Sequence, residues 1–179
     1  YDYWSSTYLR PRIHSTGYKS FHDMFIAHME RTRSAGASRL KLVSVGSGNC
    51  DFEVMLAKKM LAEGISDFEF QCLDINEVML VRGQKEAQKN GLDNKFRFLK
   101  SDFNTWVPDD SIDIVIANQS LHHVVELEHL FDVIRSALNP QGHFLISDMI
   151  GRNGHMRWPE AEDYIKRLWS TLPKEKRYH

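Results

Sequence analysis

Four short stretches of the sequence carry residues whose types and spacing could do chemistry. The first is VSVGSGNC (43–50), where Gly46 and Gly48 follow an apolar run and precede an amphipathic one. Glycine adopts backbone angles that a Cβ would forbid, and its missing side chain lets a ligand lie against the main chain. A turn of this kind between a strand and a helix indicates a ligand-binding corner, with a plain tight turn as the alternative.

Two acidic residues follow, each at a point where a strand would end. Asp74 in QCLDIN (71–76) can accept hydrogen bonds from both hydroxyls of a ribose, or it can help to cap the next helix. Asp102 in KSDFNTW (100–106) can take the exocyclic amine of adenine while Phe103 flanks its ring, or it can cap a loop. The glycine turn and the two acids together favour a nucleoside ligand.

Asp51 indicates that this nucleoside carries no phosphate. The Walker pattern GxxxxGK[ST] is absent from the sequence, and the dinucleotide pattern GxGxxG would need a small residue at position 51. A carboxylate at a helix start would compete with a pyrophosphate for the same backbone N–H groups. The pattern therefore disfavours a nicotinamide oxidoreductase and suits a ligand with net positive character.

Histidines supply the candidates for a general base. His122 and His123 lie in NQSLHHV (118–124), and His155 lies in the polar and aromatic stretch GRNGHMRWPE (151–160). A histidine titrates near pH ~6.5, which suits proton abstraction from a hydroxyl. Alternatively, the first two cap or pack the next helix, and the segment around His155 is a structural connector or grips an anionic or sugar-like substrate.

The elements that must position these residues alternate along the chain. Runs of apolar residues predict strands, and intervals of three and four residues predict helices. The predicted strands are 40–45, 68–75, 95–102, 112–118 and 143–150, and the predicted helices are 18–33, 51–63, 76–91, 126–138 and 159–172. This alternation predicts an α/β fold whose mainly parallel sheet is covered on both faces.

The sequence predicts two parts, an N-terminal helical extension (1–36) and a core (37–179). The extension is rich in aromatic residues and could fold over the site as a lid or simply pack against the sheet. Pro11 and Gly17 predict irregular structure before its helix.

Composition excludes several classes of function. The 179 residues carry a formal net charge of -1, which favours neither nucleic acid nor an anionic membrane as a partner. The two cysteines, Cys50 and Cys72, form neither a disulfide framework nor a CxxC metal pair, so no metal is expected. No apolar run approaches the roughly 20 residues of a membrane span, and no signal peptide is recognisable. A cytoplasmic protein is expected; its oligomeric state is left open.

In this order the four stretches resemble the class I S-adenosylmethionine-dependent methyltransferases, over roughly residues 40–150. VSVGSGNC is similar to the family's glycine motif, hydrophobic-Asp-hydrophobic-Gly-x-Gly-x-Gly, and LDIN to its ribose acid. SDF is similar to its adenine motif, IDIVIANQSLHHV to its fourth-strand motif, and ALNPQGHFLISD to its turn into the fifth strand.

The resemblance implies S-adenosyl-L-methionine as the cofactor and a set of residues that bind it. Gly46 and Gly48 would back its methionine part, Asp74 would hold the ribose, Asp102 would frame the adenine, and Asn118 would lie near the sulfonium. The full set of implied cofactor-binding residues is Ser44, Gly46, Gly48, Asp74, Ile75, Asp102, Phe103 and Asn118.

Three features depart from the family pattern. Ser44 stands where the family usually has an acid, and Cys50 stands where it often has a third glycine. The family also adds a sixth and an antiparallel seventh strand, whereas the residues after Ile150 predict only a loop and a helix. The expected fold is therefore a Rossmann-like three-layer sandwich that is truncated after the fifth strand and its following helix, either because the sequence is a fragment or because the sheet is shortened.

The leading interpretation is a methyltransferase that acts on a small-molecule acceptor, sugar-like or of a natural-product type. Enzymes of similar fold that methylate base amines carry [ND]PP[YF] after the fourth strand, where this chain reads NQSL. The alternative from another class is a non-catalytic module that binds S-adenosylmethionine or its demethylated product.

Overall fold

Strands and helices alternate along the part of the chain that the computed structural model describes, which is residue 3 and residues 5–36, 39–148 and 158–177. The chain divides into two units, Tyr1–Asp148 and Met149–His179, and each is described by itself. In the described ranges, no helix has both the length and the apolar character that crossing a membrane requires.

Five strands form one sheet in the first unit. They are β1 (Leu40–Val45), β2 (Phe68–Asp74), β3 (Phe96–Lys100), β4 (Ile112–Asn118) and β5 (Leu138–Ser147). The strand order is β3-β2-β1-β4-β5 and every pair is parallel, which confirms the predicted α/β class. The order reverses between β1 and β4, and in such sheets ligands bind beyond the carboxyl ends of the strands at this point.

Helices of the first unit cover both faces of the sheet. The described helices of this unit are α1 (Arg10–Ser15), α2 (Phe21–Ser34), α3 (Asp51–Ala62), α4 (Glu77–Lys89) and α5 (Leu127–Ala137), and the second unit contains α6 (Pro159–Thr171). Helices α2, α3 and α4 contribute to one buried apolar cluster, and α5 contributes to a second. The first unit is therefore a sandwich of three layers, as predicted.

The sequence of β1 shows why the sheet needs two covered faces. Leu40 and Leu42 belong to the first cluster, whereas Val43 and Val45 belong to the second, because successive side chains of a strand point to opposite faces. In β4 all residues from Ile112 to Ala117 are buried. A strand buried on both faces is typical of a parallel sheet between helices.

Helix α2 is part of the layer that covers the sheet. Phe25 and Met29 are fully buried, and Thr32 donates a hydrogen bond to the Gln141 carbonyl at 3.1 Å. Ser20 caps the helix by accepting from the Asp23 N–H at 3.2 Å. The lid formed by the N-terminal extension stays a prediction. Because α2 packs on the sheet, the candidate for such a lid among the described residues is the segment before α2.

That preceding segment is helical, although Pro11 and Gly17 predicted irregular structure. A π-helical turn spans Ser5–Leu9 and continues into α1. Pro11 is the second residue of α1. Gly17, with φ of 88°, follows the end of the helix.

Strand β5 begins five residues earlier along the chain than the prediction of 143–150. Leu138 pairs with Ile112 and His143 pairs with Ile114, so the residues between them form a bulge inside the strand. Gly142 makes this possible because a Cβ there would lie 2.8 Å from the Asp113 carbonyl oxygen. The stretch NPQG was predicted as a turn, which is wrong for this reason.

The buried face of α3 also differs from the prediction. Phe52, Met55, Leu56 and Met60 are spaced at helical intervals, which predicts that they share one buried face, but the Met55 side chain is 45% exposed. The residues buried along the helix are Glu53, Val54, Leu56, Ala57 and Met60. An acidic residue therefore lies on the apolar face of this helix.

Candidate functional site

The glycine turn lies between the end of β1 and the start of α3. Gly46 and Gly48 both have positive φ, 71° and 53°. The N–H groups of Gly46 and Ser47 donate to the Leu73 carbonyl at 2.9 and 3.0 Å, which holds the turn against the end of β2. A Cβ on Gly48 would meet no atom within 4 Å, so open space lies beside the main chain there.

Asp74 lies at the carboxyl end of β2 and is joined to this turn. Its Oδ2 accepts from the Gly48 N–H at 2.8 Å, and its Oδ1 accepts from the Asn76 N–H at 2.8 Å. Each carboxylate oxygen has capacity for a further donor, such as a hydroxyl. The structure thus brings the predicted glycine and the predicted acid into direct contact, and Asp74 also serves the start of α4, as the capping alternative expected.

Gly46 lies where the ends of β1 and β4 approach each other. A Cβ on Gly46 would lie 2.5 Å from the Ser120 Cβ and 3.7 Å from Phe103 Cε2. Ser120 is buried and its hydroxyl donates to the Val45 carbonyl at 2.6 Å. Gly46 is required both for its backbone angle and for this close approach.

Ser44 is buried beneath the turn and is bonded to an acid from the next helix. Its hydroxyl donates to Glu53 Oε1 at 2.6 Å, and both side chains are almost inaccessible to solvent. Burial raises the pKa of Glu53 to about 7, the Ser44 hydrogen bond acts in the opposite direction, and Asp51 raises the pKa further. The second oxygen, Oε2, is buried with no hydrogen-bond partner. The sequence analysis did not identify Glu53. The signal was its spacing, because Leu56, Ala57 and Met60 follow it by three, four and seven residues and therefore share its helix face.

Cys50 takes the left-handed conformation just before α3, with φ of 58°. Its side chain reaches α4 at Gly83, where a Cβ would lie 2.8 Å from Cys50 Sγ. Burial raises the pKa of the Cys72 thiol on β2, and Cys50 and Glu53 act in the same direction. Gly83 on the neighbouring helix therefore leaves the space that the Cys50 side chain occupies.

Asp102 and Phe103 follow β3 on the same edge of the sheet. Asp102 Oδ1 accepts from the backbone and side-chain N–H groups of Asn104 at 2.9 and 2.8 Å. Asn104 Oδ1 in turn accepts from the N–H groups of Val125 and Glu126, at 3.0 and 2.9 Å. Asp102 thus has the loop-capping contacts that were the alternative, and Asn104, which sequence reasoning missed, links this loop to the start of α5.

His122 is held by Asp148 after β5. Its Nδ1 lies 2.8 Å from Asp148 Oδ1, and Asp148 Oδ2 accepts from the N–H groups of Ser120 and Leu121 at 2.9 and 2.7 Å. An ionised carboxylate only accepts, so Nδ1–H donates and the ring is fixed in orientation. The ring of His123 lies 4.1 Å from that of His122, centroid to centroid.

The remaining predicted residues are dispersed along this edge. Ile75 is 59% exposed directly after Asp74, and Asn118 ends β4 opposite Ser147 of β5. His155 lies outside the described residues. Within the described ranges, no group of three or more His, Cys, Asp or Glu side chains is arranged to hold a metal ion.

Two surface concavities lie at the opposite, amino ends of the strands. One is lined by Val107, Asp109 and Val133, among others, and the second by Arg39, Glu69 and Arg97, among others. Glu69 pairs with both arginines of the second concavity, each at 2.5 Å. Because the charged groups of the second concavity pair with one another and the carboxyl edge carries the glycine turn, we assign the candidate site to the carboxyl edge.

The residues at the carboxyl edge fit a nucleoside that carries a cation. The glycine turn leaves main chain open beside Gly48, and Asp74 offers carboxylate oxygens beside it. The buried acid Glu53 lies beneath the same turn. No cationic side chain pairs with Glu53 in the described part of the chain.

Comparison with known proteins gives an independent result. Residues 37–177 match the family described as a methyltransferase domain. A sterol 24-C-methyltransferase of Gibberella zeae is 38% identical over 73 residues, which is 40% of this chain and 19% of that protein. This chain thus matches less than a fifth of that relative's own length.

Two solved structures show the similarity of fold. The DhpI–SAH complex is 25% identical, with a TM-score of 0.52, over 84% of this chain and 64% of that one. The [4+2]-cyclase SpnF is 21% identical, with a TM-score of 0.59, over 83% of this chain and 56% of that one.

Proposed function

This chain belongs to the methyltransferase domain family, and on that premise we propose that it moves a methyl group from S-adenosylmethionine to a small-molecule acceptor. One observation carries the proposal: Asp74 at the end of β2 accepts from Gly48 in the turn after β1, at 2.8 Å. This contact places carboxylate oxygens beside an open main chain, where a ribose and its substituent can lie together.

The cofactor supplies a methyl group on a positively charged sulfur, which leaves as a neutral thioether when the acceptor takes the methyl. The chain's contribution is to orient the acceptor in line with the methyl and to exclude water. Well-oriented reactants can save roughly 7–11 kcal/mol of the barrier. The cofactor-binding residues that we propose are those implied by the resemblance, with Asp74 and the two glycines at their centre.

Where the acceptor is a hydroxyl, we propose His122 as the base that takes its proton. Asp148 fixes the His122 ring through Nδ1, which is how a carboxylate orients a catalytic imidazole. His123 and His155 remain the other candidates. Replacement of each histidine by Gln should rank the three by the loss of kcat. We expect His122→Gln to lower kcat by about a hundredfold or more without changing cofactor affinity.

The acceptor class is proposed from the sequence around His155 and from the relatives. The stretch 151–158 joins arginine, histidine and tryptophan side chains that could grip an anionic or sugar-like molecule. The Gibberella zeae relative is a sterol methyltransferase, so a sterol belongs in the panel of acceptors as well. Methyl release should be measured with sugar-like, natural-product and sterol acceptors.

Cofactor binding is tested by calorimetry with S-adenosylmethionine and S-adenosylhomocysteine. We expect both to bind, and we expect Asp74→Asn to weaken both by at least about tenfold because it removes a charged acceptor. Asp93→Asn is the matched control, since Asp93 is exposed and precedes β3 at the opposite edge. Unchanged affinity in Asp74→Asn would refute the assigned role.

A non-catalytic module that binds the cofactor or its product is the second candidate. The observation that favours it is that Ser44 and Cys50 stand where the family usually has an acid and often has a third glycine. Tight binding of both compounds without methyl release on any acceptor of the panel would support the module over the enzyme.

A further inference from the structure

Glu53, which is bonded to Ser44, is the feature that the proposed cofactor-binding residues do not include. Ser44 lies on β1, two residues before the glycine turn, and Glu53 lies in the first turn of α3, directly after it. Their side chains meet beneath the turn at 2.6 Å, with 1% and 2% of their surfaces exposed. The pair thus belongs to both elements that flank the candidate site.

One oxygen of Glu53 has no partner. Oε1 accepts from the Ser44 hydroxyl, but Oε2 is buried without a hydrogen bond. A buried polar atom without a partner is unfavourable, and a buried charge without a partner is more so. A ligand that brings a positively charged donor would give Oε2 a hydrogen bond and would pair the charge of the carboxylate.

The charged and titratable groups around Glu53 do not supply that donor. On its own helix, the nearby Asp51 is negative, and Cys72 of β2 faces Glu53 with a protonated thiol. Helix α2 contributes His22, whose ring lies 5.2 Å from that of Phe52, centroid to centroid, and Asp23, which pairs with Lys59 at 2.5 Å. Burial lowers the pKa of His22, so this ring is neutral at pH 7.

We propose that the carboxylate of Glu53 binds the α-ammonium group at the methionine end of the cofactor, with Ser44 holding the carboxylate in place. This inference rests on the proposed function. The Ser44 hydroxyl occupies Oε1, so Oε2 is the oxygen left for a donor at the glycine turn. Ser44 stands where the resemblance leads one to expect an acid, and the next helix brings an acid to that hydroxyl.

Binding of a cation to this carboxylate requires its ionised form. With the pKa of Glu53 at about 7 in the free chain, binding at lower pH must release a proton. The dissociation constant for S-adenosylhomocysteine should therefore fall about eightfold between pH ~6 and pH ~7.5. The ligand's own amino group loses its proton only around pH ~8, outside this window.

The experiment is calorimetric titration with two ligands at four pH values in that window. S-adenosylhomocysteine carries the amino-acid end, whereas 5′-methylthioadenosine has the same nucleoside and thioether without it. We expect the wild-type affinity to depend on pH for the first ligand only. In Glu53→Gln, which keeps an oxygen for Ser44, the pH dependence should vanish and S-adenosylhomocysteine should bind about tenfold more weakly at pH ~7.5.

Glu63→Gln is the matched control, because Glu63 is exposed at the other end of the same helix and should leave both ligands unaffected. Thermal unfolding of each variant confirms that it is folded. Equal pH dependence for the two ligands, or none in the wild type, would overturn the role of Glu53 and leave the proposed function standing. Binding of neither ligand would overturn both.

Discussion

At the scale of the residue, the two glycines of the turn serve different ends. Gly46 has a positive φ and lies so close to Ser120 that no Cβ fits, whereas Gly48 has a positive φ and open space beside it. The sequence predicts the turn from both residues equally, because spacing carries no information about what lies opposite each of them.

The variants Gly46→Ala and Gly48→Ala should separate these two roles. Gly48→Ala is expected to lower the free energy of unfolding by about 1 kcal/mol, the cost of a left-handed backbone for a residue with a Cβ. Gly46→Ala adds a collision with Ser120 and should cost about 3 kcal/mol in total. Urea unfolding measures both, and equal losses would contradict the assigned contact with Ser120.

Glu53 predicts a pH dependence of stability that needs no ligand. Burial raises its pKa from an ordinary 4.5 to about 7 in the folded chain. Between these values the unfolded chain ionises first, so this group destabilises the fold as pH rises, by about 3 kcal/mol above pH ~7. Relative to Glu53→Gln, the wild type should therefore lose unfolding free energy between pH ~5 and pH ~7.5.

Denaturant unfolding of both proteins across this range gives the difference directly. The comparison with Glu53→Gln is needed because exposed acids also titrate. The pKa of Asp23 is lowered by the neighbouring Lys59 and Ser20, which acts on stability in the opposite direction at lower pH. A difference between the two proteins that stays constant with pH would contradict the raised pKa of Glu53.

At the scale of the element, Cys50 and Gly83 form a complementary pair between the start of α3 and the middle of α4. We expect Gly83→Ala alone to cost about 2 kcal/mol, because its Cβ would lie 2.8 Å from Cys50 Sγ. In the double variant Cys50→Gly/Gly83→Ala much of this cost should be recovered. Thermal unfolding of the four proteins of this cycle measures the coupling, and additive effects would show that the two residues act independently.

Asn104 joins the loop after β3 to the start of α5. Its Oδ1 accepts from two backbone N–H groups, those of Val125 and Glu126. Asn104→Ala should therefore cost about 1–2 kcal/mol and speed hydrogen exchange at these two amides. Asn94→Ala, an exposed position in the 3₁₀ turn Asp93–Lys95, is the control. Unchanged exchange at Val125 and Glu126 would argue against this link.

The elements themselves were largely predictable, since every predicted strand and helix is present in the structure. Period-two and period-3.6 patterns report burial within a segment, which is why β1 to β4 and α2 to α6 were found, whereas α1, which has no buried residue, was missed. The start of β5 was missed because a bulge depends on what Gly142 packs against. Asn104 and Asp148 were missed as structural residues of the site because their partners lie elsewhere in the chain. The spacing of Glu53 on its helix was visible in the sequence, but its contact with Ser44 was not.

At the scale of the whole molecule, the two cysteines report on the integrity of the core. Cys50 and Cys72 are fully buried, and burial raises the pKa of the Cys72 thiol. A protonated and inaccessible thiol does not react, so alkylation in native buffer should be limited by unfolding. In a urea series the labelling midpoint should coincide with that of circular dichroism; labelling at much lower urea would reveal local opening at the turn.

Side-chain hydrogen bonds stabilise the pairing of β1 and β4 at both ends. At the amino end, the Asp113 carboxylate accepts from the Lys41 N–H at 2.8 Å and from Asn139 Nδ2 at 2.7 Å. At the carboxyl end, Ser120 donates to the Val45 carbonyl. The paired ends of β1 and β4 beneath the candidate site are thus held in place before a ligand arrives. Little reorganisation of these strands is therefore needed when a ligand binds. Differences in which ligands such a sheet binds are then determined by the loops that extend beyond the strands.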